Sequence, residues 1–263
     1  MSGAPSSAHW RSSRHWEGCQ AATSRPSARH MRHMRQLSKA FDAGVSAAQT
    51  SMVNAGWPRI RRPDVVDVAG VRVDLAGVSQ ARKIVLVEGG SDQAALEVLA
   101  RRRGLALGRG ALGIVAMGGA TSIGHFVRLL GPRGLNIPLG GLCDAGQEDH
   151  VRGALQRGGL SPAASRVEME ACGFYVCTAD LEDELIRAVG TAAVQQIIAT
   201  CGELRSFRTF QRQPAHRQES VGQQLHRFMG TRSGRKSQYA RLLAGAVAPA
   251  LVPRPLDRVL AGT

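Results

Sequence analysis

The run Ile84-Val85-Leu86-Val87 constrains this chain most. It is short, unbroken and largely β-branched, and it is closed by Glu88-Gly89-Gly90-Ser91-Asp92. Four consecutive apolar residues leave no polar face, so the segment reads as a strand covered on both sides in a parallel sheet. The two glycines permit a tight turn, and Ser91 or Asp92 can cap the next helix. From there Ala95, Leu96, Leu99 and Ala100 recur at helical spacing. A strand, a turn and a helix are therefore expected, with Glu88 at the carboxyl end of the strand. In open α/β sheets ligands bind beyond the carboxyl ends of the strands. A lone Glu ordinarily just ends a strand in solvent, but packing gives no reason for Gly-Gly-Ser-Asp to come after it.

The same alternation continues downstream. A helix from Ser91 to Arg103 leads to a second apolar strand, Leu112 to Met117, then to Gly118-Gly119-Ala120-Thr121-Ser122 and a helix over Ile123 to Leu130 that Gly131-Pro132 stops. A third strand from about Ile137 to Cys143 delivers Asp144. A polar helix, Gln147 to Arg157, comes next, and a fourth strand, Gly173 to Cys177, ends at Thr178-Ala179-Asp180. Strands alternating with helices imply right-handed crossovers and an α/β fold: a mostly parallel four-stranded sheet flanked by helices, with a basic, mainly helical C-terminal extension. Glu88, Asp144 and Asp180 then share one edge of the sheet. Carboxylates gathered there repel unless a hard divalent cation neutralises them through oxygen ligands, and Mg²⁺ or Mn²⁺ is the natural ion.

At 263 residues with 43% apolar content the chain can bury one large core, with appendages. Its formal charge of +14 and pI near 11.1 favour a polyanionic partner, of which nucleic acid is the commonest. Only Lys39, Lys83 and Lys236 are lysines, so nearly all of the 34 basic side chains are arginines, a bias that genome composition can also produce. No apolar run spans a bilayer and no signal peptide is evident, so a cytoplasmic protein without membrane attachment is expected. Five cysteines without CxxC spacing argue for free thiols rather than a zinc site or disulfide framework.

These patterns divide the chain into four segments. Residues 1–36 are rich in Ser, Ala, Arg and His, and are expected to be a disordered basic arm. Arg25 to Arg35 either contacts nucleic acid or lies upstream of a true start at Met31 or Met34, the second being favoured. Residues 37–80 form a lead-in, with a helix from Leu37 to about Val53, a Pro- and Arg-rich connector from Trp57 to Pro63, and a short hairpin or helix between Val65 and Val78. Residues 81–200 hold the main domain and 201–263 the basic extension.

The run Val85-Leu-Val-Glu-Gly-Gly-Ser-Asp resembles the first motif of the Toprim domain, shared by topoisomerases, bacterial primases, recombination proteins and the OLD-family nucleases. Its Ser-Asp followed by Ala-Leu is most similar to the OLD-type branch, and the resemblance covers roughly residues 80 to 245. It implies that Glu88 and an Asp-x-Asp after the third strand hold metal. Here that second element reads Asp144-Ala145-Gly146, with Gly in place of the second Asp. Either Glu148 substitutes for it, or the second metal position is weakened or lost. The resemblance further implies that Asp92, and the pair Asp180 and Glu182, supply metal ligands. Without it, Asp180 to Glu184 would read as an acidic helix start favoured by the helix dipole.

The stretch Gly230-Thr-Arg-Ser-Gly-Arg-Lys-Ser nearly matches a P-loop, but Arg235 occupies the second glycine position and no buried strand precedes it, so nucleotide binding is rejected. A turn leading into a helix at Tyr239 to Leu243 fits better, with Lys236 placed like the catalytic lysine of OLD-type nucleases. The resemblance thus implies a metal-dependent phosphodiesterase acting on nucleic acid, DNA favoured over RNA, with Glu88 and Lys236 as catalytic residues. The alternatives are a catalytically impaired nucleic-acid-binding module that works with a separate ATPase, and a nucleotidyl transferase using the same metal site. No ATPase module, topoisomerase tyrosine domain or primase zinc finger is visible. The sequence leaves oligomeric state open.

Overall fold

A computed structural model describes residues 65–160, 165–232 and 234–261. The arm over residues 1–36, the helix from Leu37 and the connector from Trp57 lie outside the described residues. The description opens on a hairpin, β1 (Val65–Val68) and β2 (Val71–Asp74), followed by a single helical turn, Leu75–Val78. Its two-residue connection, Ala69-Gly70, has φ of 53° and 84°. Positive φ at both central positions matches the twist of a tight hairpin, and Asp67 Oδ1 accepts from the Gly70 N–H at 2.7 Å.

The centre of the fold is a four-stranded, wholly parallel sheet in the order β4-β3-β5-β6, where β3 is Lys83–Val87, β4 Leu112–Ala116, β5 Leu139–Cys143 and β6 Phe174–Val176. Every residue of β3 is buried, as its unbroken apolar run demands. The period-two alternation of the strand splits that burial between two cores. Val85 and Val87 pack on one face with Leu96 and Leu99 of α1 (Gly90–Arg102). Ile84 and Leu86 pack on the other with Phe126 and Val127 of α2 (Ile123–Leu130), Leu155 of α3 (Glu148–Gly158) and Met169 of α4 (Arg166–Ala171). Gly141 lets β5 lie close to β6: a Cβ there would stand 2.5 Å from the Phe174 ring.

The chain steps from β3 outward to β4 and then returns past β3 to place β5 on the other side. The strand order therefore reverses between β3 and β5, which opens a crevice at their carboxyl ends. Glu88 and Asp144 leave that one edge of the sheet, on the two sides of the crevice.

The remaining helices close the first core: α5 (Leu181–Val189), α6 (Thr191–Thr200), α7 (Leu204–Gln211), α8 (Val221–Gly230), α9 (Arg235–Ala246) and α10 (Arg254–Ala261). Phe207, Leu225, Phe228, Tyr239, Leu243 and Leu256 join Val85 and Leu96 in one continuous apolar cluster. Each such side chain, fully withdrawn from water, contributes about 1.5–3 kcal/mol. α9 lies along α1, its most extensive helix partner. The start of α9 is fixed by the buried Arg235. Its guanidinium covers the Phe228 ring at 4.2 Å and donates to Glu203 Oε1 at 2.9 Å, while the Tyr239 hydroxyl donates to Glu203 Oε2 at 2.7 Å. What precedes this turn is helix α8 rather than a strand. Lys83 is likewise buried, and its ammonium donates to the Val259 carbonyl at 3.2 Å. No helix among the described residues is long and apolar enough to cross a membrane.

Candidate metal centre

The turn after β3 sets the first part of the site. Gly89 is extended (φ −141°), and its N–H donates to Asp92 Oδ2 at 2.8 Å, so Asp92 caps α1 while its carboxylate stays beside Glu88. On the far side of the crevice Asp144 follows β5. It occupies the N-cap position of a short 3₁₀ turn, Ala145–Gln147, without making a side-chain capping bond. After β6, Asp180 caps α5 by accepting from the Asp183 N–H at 2.8 Å through Oδ1, which leaves Oδ2 for His226 Nε2 of α8 at 2.6 Å. Glu182, in the first turn of α5, is 2% exposed, and its Oε2 lies 3.3 Å from Lys236 Nζ in the first turn of α9. Ser237 lies against the β3–α1 turn, since a Cβ on Gly90 would stand 3.8 Å from its Oγ.

These groups share one electrostatic field. Burial, reinforced by the charges of Asp92, Glu88, Asp180 and Glu182, pushes the Asp144 carboxyl up to about 7. Burial also raises Asp92 to about 6. The Gly89 N–H and Lys236 oppose that rise, and Glu182 and Glu88 add to it. Burial works to raise Asp180 too, but the bonds from His226 and the Asp183 N–H outweigh it and hold the carboxyl below the usual range. His226 is correspondingly raised by its bond to Asp180. For Lys236 burial lowers the pKa, yet the surrounding carboxylates, Glu182 first, hold it above the ordinary value.

Glu88 Oε2 and Glu182 Oε1 are buried and have no hydrogen-bond partner among the described residues. A carboxylate oxygen taken from water without a partner costs several kcal/mol. Ligand atoms of Asp180, Glu182 and His226 also lie within 4.8 Å of one another. Orphaned anionic oxygens inside a ring of mutually repelling carboxylates match the donor set of a hard divalent cation. The residues present therefore fit such an ion.

The structure thus brings together Glu88, Asp92, Asp144, Asp180, Glu182 and Lys236. Glu148 stands apart at the start of α3, tied to Arg166 of α4 and, at 3.9 Å, to Arg152. Its bond from Arg166 holds its carboxyl below the usual range. The other acidic residues of α5 are also committed: Glu184 accepts from the Thr178 N–H at 2.7 Å and pairs with Arg187, as Asp183 does. Sequence reasoning missed His226. It sits on α8 beside the buried Leu225, and nothing in its neighbours marks it as more than an ordinary half-exposed histidine. Cys143, Cys172, Cys177 and Cys201 are free thiols, as the spacing suggested.

Residues 81–145 match the family described as "Overcoming lysogenization defect protein-like, TOPRIM domain". No curated protein matches the sequence. Among solved structures, the C-terminal region of the OLD protein of Xanthomonas campestris pv. campestris superposes with a TM-score of 0.50 at 23% identity, covering 68% of this chain and 92% of that one. The C-terminal region of the Burkholderia pseudomallei OLD protein gives a TM-score of 0.49 at 20% identity, covering 68% of this chain and 95% of that one. The first likeness supports the fold.

Proposed function

On the premise that residues 81–145 form an OLD-like TOPRIM domain, we propose that the chain is a divalent-metal-dependent phosphodiesterase acting on nucleic acid, with Mg²⁺ or Mn²⁺ as its ion and DNA as the favoured substrate. The observation that carries this reading is the pair of buried, unpartnered oxygens on Glu88 and Glu182 within a five-carboxylate edge that faces Lys236. Glu88, Asp92, Asp144, Asp180 and Glu182 would hold the ion. When bound, a divalent cation polarises a phosphoryl oxygen and lowers the pKa of water.

The side chains of this chain supply the rest. Lys236 keeps its proton because the carboxylates beside it outweigh the cost of burial. It thereby presents a fixed positive charge at a place where negative charge grows on a phosphate during cleavage. The Arg235–Glu203 and Tyr239–Glu203 bonds hold the first turn of α9 in position, so that Lys236 does not wander. His226 orients the Asp180 carboxylate and keeps it ionised.

Gly146 favours a second reading. It stands where the related domains carry their second Asp, and its surroundings are open, with nothing within 4 Å of a Cβ built there. A chain without that carboxylate would bind nucleic acid for a partner ATPase and not cut it.

The deciding experiment measures cleavage of supercoiled plasmid, linear DNA and RNA with Mg²⁺ or Mn²⁺. Wild type is compared with Glu88→Gln, Lys236→Ala and Glu148→Ala. Cleavage that Glu88→Gln abolishes, that Lys236→Ala slows without loss of metal binding, and that survives Glu148→Ala is the expected pattern. No cleavage by wild type on any substrate, with activity gained by Gly146→Asp, would establish the binding module instead. Wild-type activity indifferent to Glu88→Gln would refute the site.

A further inference from the structure

The acidic edge is flanked by a feature of opposite sign. Between α2 and α3 the surface sinks into a cavity of about 320 Å³, bordered by Thr121, His125 and Arg128 from the α2 side, by His150 and Arg157 from α3, and by Arg133 after α2. All six are exposed, and no carboxylate lines the cavity. Arg128, Arg133 and Arg157 line one cavity and make no ion pair among the described residues. The Arg133 guanidinium donates to the Arg157 carbonyl at 2.8 Å, which holds the loop after α2 against the end of α3. Three guanidiniums placed side by side and left without anions repel one another, and a polyanion relieves that repulsion.

The position of the cavity adds direction. Its upper end is formed by Thr121, which comes after the turn that ends β4, and by His150, which comes after the turn at Asp144. The N–H of Gly119 in the first of these turns donates to the Glu88 carbonyl at 3.0 Å. One end of the cleft thus lies toward the carboxyl ends of the strands, on the sheet face opposite α1 and α9. From His150 to Arg157 the helix rises about 10 Å, the axial reach of about three phosphates along one strand of a duplex.

We propose that the cleft between α2 and α3 seats the phosphate backbone of nucleic acid and leads it to the carboxylate edge, with Arg128, Arg133 and Arg157 contacting successive phosphates. This rests on the nucleic-acid reading above and adds which surface does the holding. Guanidinium forks suit phosphate oxygens bidentately, and the contacts carry no base preference, so binding here is indifferent to sequence. Lys236 then meets the same backbone from the α9 side.

The test is fluorescence anisotropy of a labelled oligonucleotide, duplex and single-stranded, in EDTA, titrated with wild type, with the double variant Arg128→Ala/Arg157→Ala, with Arg133→Ala, and with Arg101→Ala/Arg241→Ala, which removes equal charge from the opposite face. Each lost phosphate contact lowers the slope of log K against log salt by about 0.9. The groove double variant should therefore lose about two from the slope and bind about tenfold or more weakly at 0.1 M salt. Arg133→Ala should lose about one. The opposite-face variant should hold close to wild type. Equal weakening by both double variants, or none by the groove variant, overturns the groove while leaving the nucleic-acid reading intact. A wild type that binds no duplex and no single strand removes both. Unchanged melting curves and unchanged Mn²⁺ binding in the variants exclude misfolding as the cause.

Discussion

Replacing Asp144 by Asn should stabilise the metal-free protein at alkaline pH, against the usual direction for a buried-site substitution. In the folded chain the Asp144 carboxyl rises from 3.8 to about 7, through burial and then the charges of Asp92, Glu88, Asp180 and Glu182. The folded state holds this proton more tightly than the unfolded chain does. No penalty exists below about pH 4; stability falls as pH climbs between about 4 and 7, and the full cost is present above 7. Three pH units at about 1.4 kcal/mol each set a ceiling of about 4 kcal/mol. Because the group is only partly withdrawn from water, screening reduces this to about 2 kcal/mol. Asn is nearly isosteric and uncharged, and Asp144 makes no side-chain capping bond that the change would sacrifice. For a domain of this size the variant should melt about 4–8 °C higher than wild type at pH 8 in EDTA, with the gap closing by about pH 4. Excess Mn²⁺ should invert the order, since ion at a hundredfold its Kd adds about 2.7 kcal/mol to wild type alone. Differential scanning fluorimetry over that pH range, with and without Mn²⁺, reads both effects. A variant no more stable than wild type at pH 8 in EDTA, or a gap that persists unchanged to pH 4, would refute the crowded-carboxylate argument.

Other consequences are accessible to the same preparations. Gly146→Asp meets open space and should alter stability by no more than about 0.5 kcal/mol, while calorimetry should record tighter Mn²⁺ binding. His226→Ala removes the partner of Asp180 and should weaken Mn²⁺ binding about 10–100-fold, with the circular dichroism spectrum unchanged. Tyr239→Phe deletes the hydroxyl that Glu203 accepts within a fully buried helix face, and should cost about 1–2 kcal/mol in urea unfolding without altering the m-value.

How far the amino-acid order alone revealed the fold and the site depended on whether a residue's surroundings were local. Ile84 to Val87 could be read because burial on both faces requires an unbroken apolar run, and Asp92, Asp144 and Asp180 could be placed because each comes after a strand end by a residue or a few. The helices of residues 201–261 were harder, since Phe207, Leu225, Tyr239 and Leu256 are diluted by arginines, and their apolar faces are completed only by one another, by α1 and by the sheet. Lys236 stood out among three lysines. Scarcity alone did not mark function, because Lys83 is equally rare and spends its ammonium on the Val259 carbonyl inside the fold. His226 was invisible because its significance comes entirely from Asp180, 46 residues earlier. Arg235 replaces a P-loop glycine for a packing reason, the Phe228 ring and Glu203, that no motif spacing encodes.

The pairing of α1 with α9 also orders events in time. The site carboxylates, Glu88 to Glu182, leave the ribosome before Lys236, and the sheet covers only part of the apolar face of α1 until α9 has been made. Contacts between segments so distant in sequence close late, after a large loop has been drawn in. Acidic edge and lysine therefore come together only after α9 has been made, so a shorter nascent chain carries the carboxylates without their cation.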